Sequence, residues 1–232
     1  MENWQDRTKA LIGDKSVTVL ADSKIYVFGI GGVGGYVCEA LARAGVGRFV
    51  LVDKDEVSIT NLNRQIIATV DTVGRNKTEV MKERILSINP EAEITCVNEF
   101  YLPDNSDMVD FADADYVVDA VDTVTAKIEI IKRAKEKDVP VISCMGTGNK
   151  LDASKLCIDD ISKTKVCPLA KVMRKELKAR DIFNVKVLYS TEEPIKTDLG
   201  RTPASISFIP SCAGLMIAGE VINDIISKER LI

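Results

Sequence analysis

Apolar positions along the chain follow two alternating rhythms. Short runs rich in β-branched and aromatic residues, Lys24 to Ile30, Arg48 to Val52, Ile94 to Val97, Asp115 to Val121 and Val139 to Met145, predict strands. Between them lie stretches with helical spacing: Tyr36 to Ala44, ended by Gly45; Lys77 to Ile88, stopped by Asn89-Pro90; and Val124 to Lys137. Strands that alternate with helices predict an α/β fold, Rossmann-like and doubly wound, with a mostly parallel sheet covered on both faces. After Gly146 the order changes. Leu156 to Ile161 and Lys186 to Tyr189 read as strands that extend the sheet C-terminally, and Cys167-Pro168 opens a helix reaching about Ala179. Thr191 to Ser205 reads as a polar loop near a site, and Pro210 precedes a final helix over Ala213 to Ile226. No repeat, low-complexity tract or long linker divides the 232 residues.

Composition narrows the chemistry. There is no histidine, which excludes Ser-His-Asp and Cys-His catalysis and imidazole metal sites. Six cysteines stand far apart without a Cys-x-x-Cys pair, so a zinc cage is not expected, and a reducing cytoplasm suits them. The charged N-terminus lacks the apolar core of a secretion signal. Glu220 and Asp224 interrupt the most apolar stretch, Ile206 to Ile226, so burial against the sheet is expected there and not membrane insertion. The formal charge of −4 is an average: Lys163 to Lys186 holds eight basic residues against Glu176 and Asp181, a local +6 that leaves −10 elsewhere.

The apolar run Lys24 to Ile30 leads through Gly29-x-Gly31-Gly32-x-Gly34 into a helix, with Asp53 nineteen residues after Gly34 at the end of the next strand. This βαβ unit predicts a nucleotide site in which backbone amides and a helix N-terminus face phosphate and Asp53 accepts from ribose hydroxyls. The glycines alone do not choose between NAD and ATP. Asn61, Arg64, Gln65 and Lys77 supply more donors than a dinucleotide's pyrophosphate needs, which favours a triphosphate. Asp122 follows a strand end, where a carboxylate can hold magnesium.

Taken together, Gly29-Ile-Gly-Gly-Val-Gly-Gly35, Asp53-Lys-Asp55, Asn61-Leu-Asn-Arg-Gln65, Gly74-Arg-Asn-Lys77 and Asp119-Ala-Val-Asp122 resemble the ubiquitin-activating-enzyme-like adenylating superfamily. The resemblance implies one adenylating domain over residues 1–232, with a nucleotide-binding half (1–150) and a substrate-binding, C-terminal half (151–232). It assigns ATP contacts to the glycine turn, Asp53, Asp55, Asn61, Arg64, Gln65 and Lys77, magnesium to Asp122, and to Arg7 a reach across a homodimer into the partner's ATP. Met145 to Asp152, Ile161 to Leu177, Tyr189 to Pro194 and Ser205 to Ser211 are similar to the tRNA threonylcarbamoyladenosine dehydratases within that superfamily. That match implies cyclisation of the modified adenosine through adenylation of its threonyl carboxylate, a step that needs no histidine base. It also implies a cytoplasmic enzyme, and suggests a cysteine desulfurase or sulfur-acceptor partner. The tRNA backbone is then expected at Lys163, Lys165, Lys171, Arg174, Lys175 and Lys178. An adenylyltransferase for a sulfur-carrier or ubiquitin-like protein is the alternative, although Cys167 stands without the paired zinc cysteines of those enzymes. An NAD oxidoreductase ranks last, lacking a histidine for proton transfer. Cys167, at a helix start, reads as structural and not as a thioester carrier.

Overall fold

The computed structural model of the chain describes residues 3–200 and 202–230. In chain order the elements are α1 (Asp6–Ile12), α2 (Asp14–Asp22), β1 (Lys24–Phe28), α3 (Gly34–Ala44), β2 (Arg48–Val52), α4 (Lys77–Ile88), β3 (Glu93–Val97), β4 (Tyr116–Asp119), α5 (Val124–Glu136), β5 (Val141–Cys144), β6 (Leu156–Asp160), α6 (Pro168–Lys178), β7 (Lys186–Ser190) and α7 (Phe208–Arg230). The strands form one sheet in the order β3-β2-β1-β4-β5-β7-β6. All neighbours are parallel except β6, which runs antiparallel to β7 and closes the C-terminal edge. The doubly wound, mostly parallel sheet and its extension are thus as expected from the sequence.

The continuous apolar character of the inner strands follows from burial on both faces. Ile25 and Val27 of β1 point into a core with Leu20 of α2, Leu41 of α3, Met81 of α4 and Ile217 of α7. Tyr26 and Phe28, the alternate positions, point into a second core with Ile130 and Ile131 of α5 and Met173 of α6. Each fully buried side chain of this size contributes about 1.5–3 kcal/mol.

Helix α7 starts five residues before Ala213, and Pro210 sits in its first turn, where a missing N–H removes no intrahelical bond. The helix has the length and hydropathy of a membrane-crossing segment. Its Ala213, Ile217, Ala218, Val221 and Ile225 are nonetheless buried in the first core. Lys186 on β7 answers the two acids that interrupt this stretch, with Nζ at 2.6 Å from both Glu220 and Asp224.

Candidate functional site

The strand order reverses at β1: the chain proceeds from it to β2 and β3 on one side, and crosses to β4 on the other. Loops leaving β1 and β4 therefore diverge at their C-terminal ends, and the gap between them is where such sheets bind ligands. A cleft of about 820 Å³ lies there.

Its floor is set by the glycine turn. Gly29 has φ +86°, and a Cβ on it would lie 2.7 Å from the Ala120 carbonyl oxygen, so the β1 and β4 loops meet only because this residue has no side chain. Gly34 opens α3, and a Cβ there would lie 1.8 Å from the Gly29 carbonyl oxygen. Gly31 and Gly32 line the cleft, whereas Gly34 stands behind them and serves the close packing of turn on helix. The N-terminus of α3, with its partial positive charge, faces the cleft. We expect Gly34→Ala to force the turn open, lowering ATP affinity more than tenfold in calorimetry and lowering the melting temperature as well.

Asp53, one residue past β2, fastens the turn. Its Oδ2 accepts from the Ile30 amide at 2.6 Å and its Oδ1 from the Asp55 amide at 2.9 Å. Burial pushes its carboxyl above the usual aspartate value, against the Lys77 charge and these two amides. Lys77 is the first residue of α4 and is 6% exposed, with Nζ held at 3.0 Å by Asp55 Oδ2. Arg64 donates to the Thr60 carbonyl at 3.0 Å and to Asn63 Oδ1 at 2.8 Å. Asn61 is buried and accepts from the Ser58 amide, which holds the short turn that presents Arg64. Gln65 is also buried and lines the cleft, and its Oε1 has no hydrogen-bond partner among the described residues. A buried amide oxygen in that state favours a donor brought by a ligand or water.

Across the cleft, the motif Asp119-Ala-Val-Asp122 divides into two roles. Asp119 is fully buried and bound to Lys127, itself fully buried, at 3.0 Å. Ser143 Oγ donates to the same carboxylate at 2.5 Å, and Lys127 Nζ also donates to the Cys144 carbonyl at 2.7 Å. Asp122 is exposed on the cleft wall, where its Oδ1 accepts only from the Thr123 hydroxyl among the described residues. The sequence reading missed Lys127, because a lysine on a helix gives no sign of burial until β4 and β5 close over it.

The far wall comes from the loop after β5 and the segment after β7. Lys150, also missed, is 5% exposed and donates Nζ to the Glu192 carbonyl oxygen. Burial draws its ammonium below the ordinary lysine value. Glu192 in turn accepts from the Leu151 and Asp152 amides at 3.0 Å each. Cys167 lines the cleft as the cap of α6 and is 3% exposed.

Two expected groups stand apart. Arg7 is exposed on α1 and does not line the cleft within one chain. In the basic segment, Lys165, Lys171, Lys175 and Lys178 are exposed, but Arg174 is spent on Thr164, donating to its carbonyl at 2.9 Å and its hydroxyl at 2.6 Å. Lys163 pairs with Asp159 at 3.0 Å and Arg180 with Glu176 at 2.8 Å, while Lys186 is neutralised by α7. The free positive surface is therefore smaller than the local +6 suggests.

A doubly wound sheet with a glycine turn, a helix N-terminus and two cations converging on its switch point defines a nucleotide-binding α/β protein. The chain belongs to the ThiF family, whose model matches residues 5–231. It is 41% identical to the tRNA threonylcarbamoyladenosine dehydratase of Bacillus subtilis (strain 168), with 97% of this chain and 95% of that protein aligned. Among solved structures it resembles the Escherichia coli tRNA N6-threonylcarbamoyladenosine dehydratase in complex with AMP, with a TM-score of 0.92, 33% identity, and coverage of 100% of this chain and 98% of that one. The complex of the Escherichia coli enzyme with ATP matches with a TM-score of 0.91 and 34% identity, covering 99% of this chain and 98% of that one.

Proposed function

We propose that this chain is an ATP-dependent tRNA threonylcarbamoyladenosine dehydratase. The reading rests chiefly on the end-to-end similarity to the Bacillus subtilis dehydratase, in a chain whose cleft gathers Arg64, Lys77 and Asp122 around the glycine turn. The threonyl carboxylate, already ionised at neutral pH, attacks the α-phosphorus of ATP. A carboxylate-to-phosphorus bond forms, the bond to the β-phosphate bridge breaks, and pyrophosphate leaves. A heteroatom of the same substituent then attacks the acyl carbon, loses its proton to solvent and expels AMP. The product is the cyclic form of the modified adenosine, with net loss of water.

The chain's own groups supply alignment and charge. Amides of the Gly29–Gly34 turn and the α3 N-terminus receive phosphate oxygens, while Arg64 and Lys77 offset charge that develops on the leaving pyrophosphate. Asp53 receives the ribose through lone pairs left beside its two amide bonds. Asp122 suits magnesium, because that ion keeps several waters and needs few protein carboxylates. Held there, magnesium would supply positive charge to offset that of the phosphates.

The tRNA backbone would meet Lys165, Lys171, Lys175 and Lys178, the exposed cations at and along α6, with Lys163, Arg174 and Arg180 in local roles. A homodimer is supported by α1, which buries none of its residues and leaves Leu11 83% exposed. In that dimer Arg7 would complete the partner's ATP site. Six free cysteines accord with a cytoplasmic protein. A cysteine desulfurase or sulfur-acceptor protein remains the proposed accessory partner.

The test is AMP release from ATP with threonylcarbamoyl-modified tRNA, unmodified tRNA, or a small protein ending in Gly-Gly. Turnover only with modified tRNA is expected, and turnover with the Gly-Gly protein alone would replace this reading by the adenylyltransferase one. Mixing equal amounts of inactive Arg7→Ala and Asp122→Ala subunits should restore about a quarter of wild-type activity, since half of the dimers are hybrids and each hybrid holds one intact site of two. An inert mixture would remove Arg7 from the partner's site.

A further inference from the structure

The two walls of the cleft are joined across its mouth by a strap, residues 202–205. On the nucleotide side, Asn63 Nδ2 donates to the Ser205 carbonyl at 3.1 Å and lies 3.3 Å from its hydroxyl. On the far side, Asn149 grips Ala204 twice: its amide donates to the Ala204 carbonyl at 2.8 Å, and its Oδ1 accepts from the Ala204 amide at 2.7 Å. The Asn149 carbonyl also accepts from the Ile195 amide at 2.9 Å. The residue holds φ +59°, a left-handed conformation that asparagine tolerates better than most side chains. Beside it, a Cβ on Gly148 would lie 2.6 Å from Pro203, so loop and strap touch without room for a side chain.

Asn63 is also bonded to the residue that faces the phosphates. Its Oδ1 accepts from Arg64 Nη1 at 2.8 Å, while its Nδ2 faces the Ser205 carbonyl. The two neighbours fix which end of the amide is which: only an oxygen satisfies the guanidinium, and only an NH₂ satisfies the carbonyl. One short side chain thus ties the phosphate-binding arginine to the strap, and the strap ties to the loop carrying Lys150.

We propose that Asn63 is a positioning residue that couples nucleotide binding at Arg64 to ordering of the 202–205 strap, and through Asn149 to the wall that receives the modified adenosine. The part concerning the adenosine rests on the dehydratase reading above. The part concerning the strap does not. Phosphate held by Arg64 fixes the guanidinium, which fixes the Asn63 amide and with it the Ser205 carbonyl. Substrate seated against the strap pulls on the same link in reverse, because the coupling of two binding events is reciprocal.

The discriminating variant is Asn63→Asp. It keeps the acceptor for Arg64 but replaces the donor to Ser205 with an oxygen that repels the carbonyl. Asn63→Ala removes both contacts, and Asn63→Gln restores both functions on a longer arm. Hydrogen exchange at the Ile195 and Ala204 amides is followed with and without magnesium-ATP, alongside steady-state kinetics on modified tRNA. In the wild type, ATP is expected to slow exchange at these amides about tenfold, in the usual range of coupling between sites. In Asn63→Asp that response disappears while ATP affinity stays within about threefold, and KM for modified tRNA rises about tenfold with a smaller change in kcat. Asn63→Gln recovers part of both effects.

Wild-type amides that do not respond to ATP would overturn the coupling, as would an Asn63→Asp protein that responds like wild type. Loss of ATP affinity in Asn63→Asp equal to the rise in KM would overturn it too, since Asn63 would then merely support Arg64. A strap that responds to ATP in a protein without turnover on modified tRNA would retain the coupling and reject the dehydratase reading, which keeps the two failures distinct.

Discussion

Asp122→Asn is expected to lower ATP-dependent turnover by about 10²–10³-fold, the usual loss when one electrostatic group is removed from a transition state. The melting temperature should move by less than about 2 °C, because an exposed substitution rarely shifts stability by more than about 0.5 kcal/mol. The position justifies both figures. Asp122 is exposed on the wall of the cleft that the glycine turn also lines, and accepts one hydrogen bond from Thr123 among the described residues. Asparagine preserves that bond and the shape while removing the charge. AMP release with modified tRNA, beside a thermal melt, reads both quantities. A variant within threefold of wild type would remove Asp122 from the magnesium site.

The second large effect is on stability. Lys127→Met should destabilise the fold by about 3–5 kcal/mol, the cost of leaving one charge of a buried pair without its partner. For a chain of 232 residues this corresponds to a fall in melting temperature of roughly 6–20 °C. Both members of the pair are fully buried, and Ser143 and the Cys144 carbonyl complete the network. Asp119 would keep the Ser143 hydroxyl and the Val121 amide but lose its cation. The double substitution Asp119→Leu, Lys127→Met should recover much of the loss, since an apolar pair of similar volume carries no uncompensated charge. A shift below 2 °C in Lys127→Met would show that the network contributes little. A loss of stability in Lys127→Met beside a loss of turnover alone in Asp122→Asn would distinguish by experiment two acids, three residues apart in one motif, that already differ in burial.

The same motif shows how far the residues could be read directly. Periodicity located the strands and helices from β1 to β7; in the inner strands β1, β2, β4, β5 and β7, burial on both faces leaves a continuous apolar run that needs no tertiary information to recognise. It singled out neither α1 nor α2. Helix α1 buries none of its residues, so it carries no core-facing stripe to detect. The glycine turn, Asp53, Arg64, Lys77 and Asp122 were legible because short-range geometry dictates their types: a turn that admits no Cβ, an acid at a strand end, cations within loops. Gly34 was legible as a glycine but not as a packing residue, since its neighbour, the Gly29 carbonyl, is placed by the fold of the turn itself.

Charge was the poorest guide. Eight basic residues between Lys163 and Lys186 look alike in one dimension, yet Arg174 turns to Thr164, Lys186 to Glu220 and Asp224, and Lys163 and Arg180 to nearby acids. Long flexible side chains find partners in space, and those partners lie up to thirty-eight residues away.

By itself, then, the order of residues determined the doubly wound sheet, the glycine turn and the set of charged groups around it, because strand burial and tight turns are settled by each residue and its near neighbours. Only the tertiary structure decided which carboxylate of Asp119 and Asp122 is buried, which lysines are free, and that Asn63 and Asn149 hold the adjacent residues Ser205 and Ala204. These contacts span separations from four residues to 142. Their energies depend on burial and hydrogen-bond geometry, which exist only once the sheet has brought the loops together.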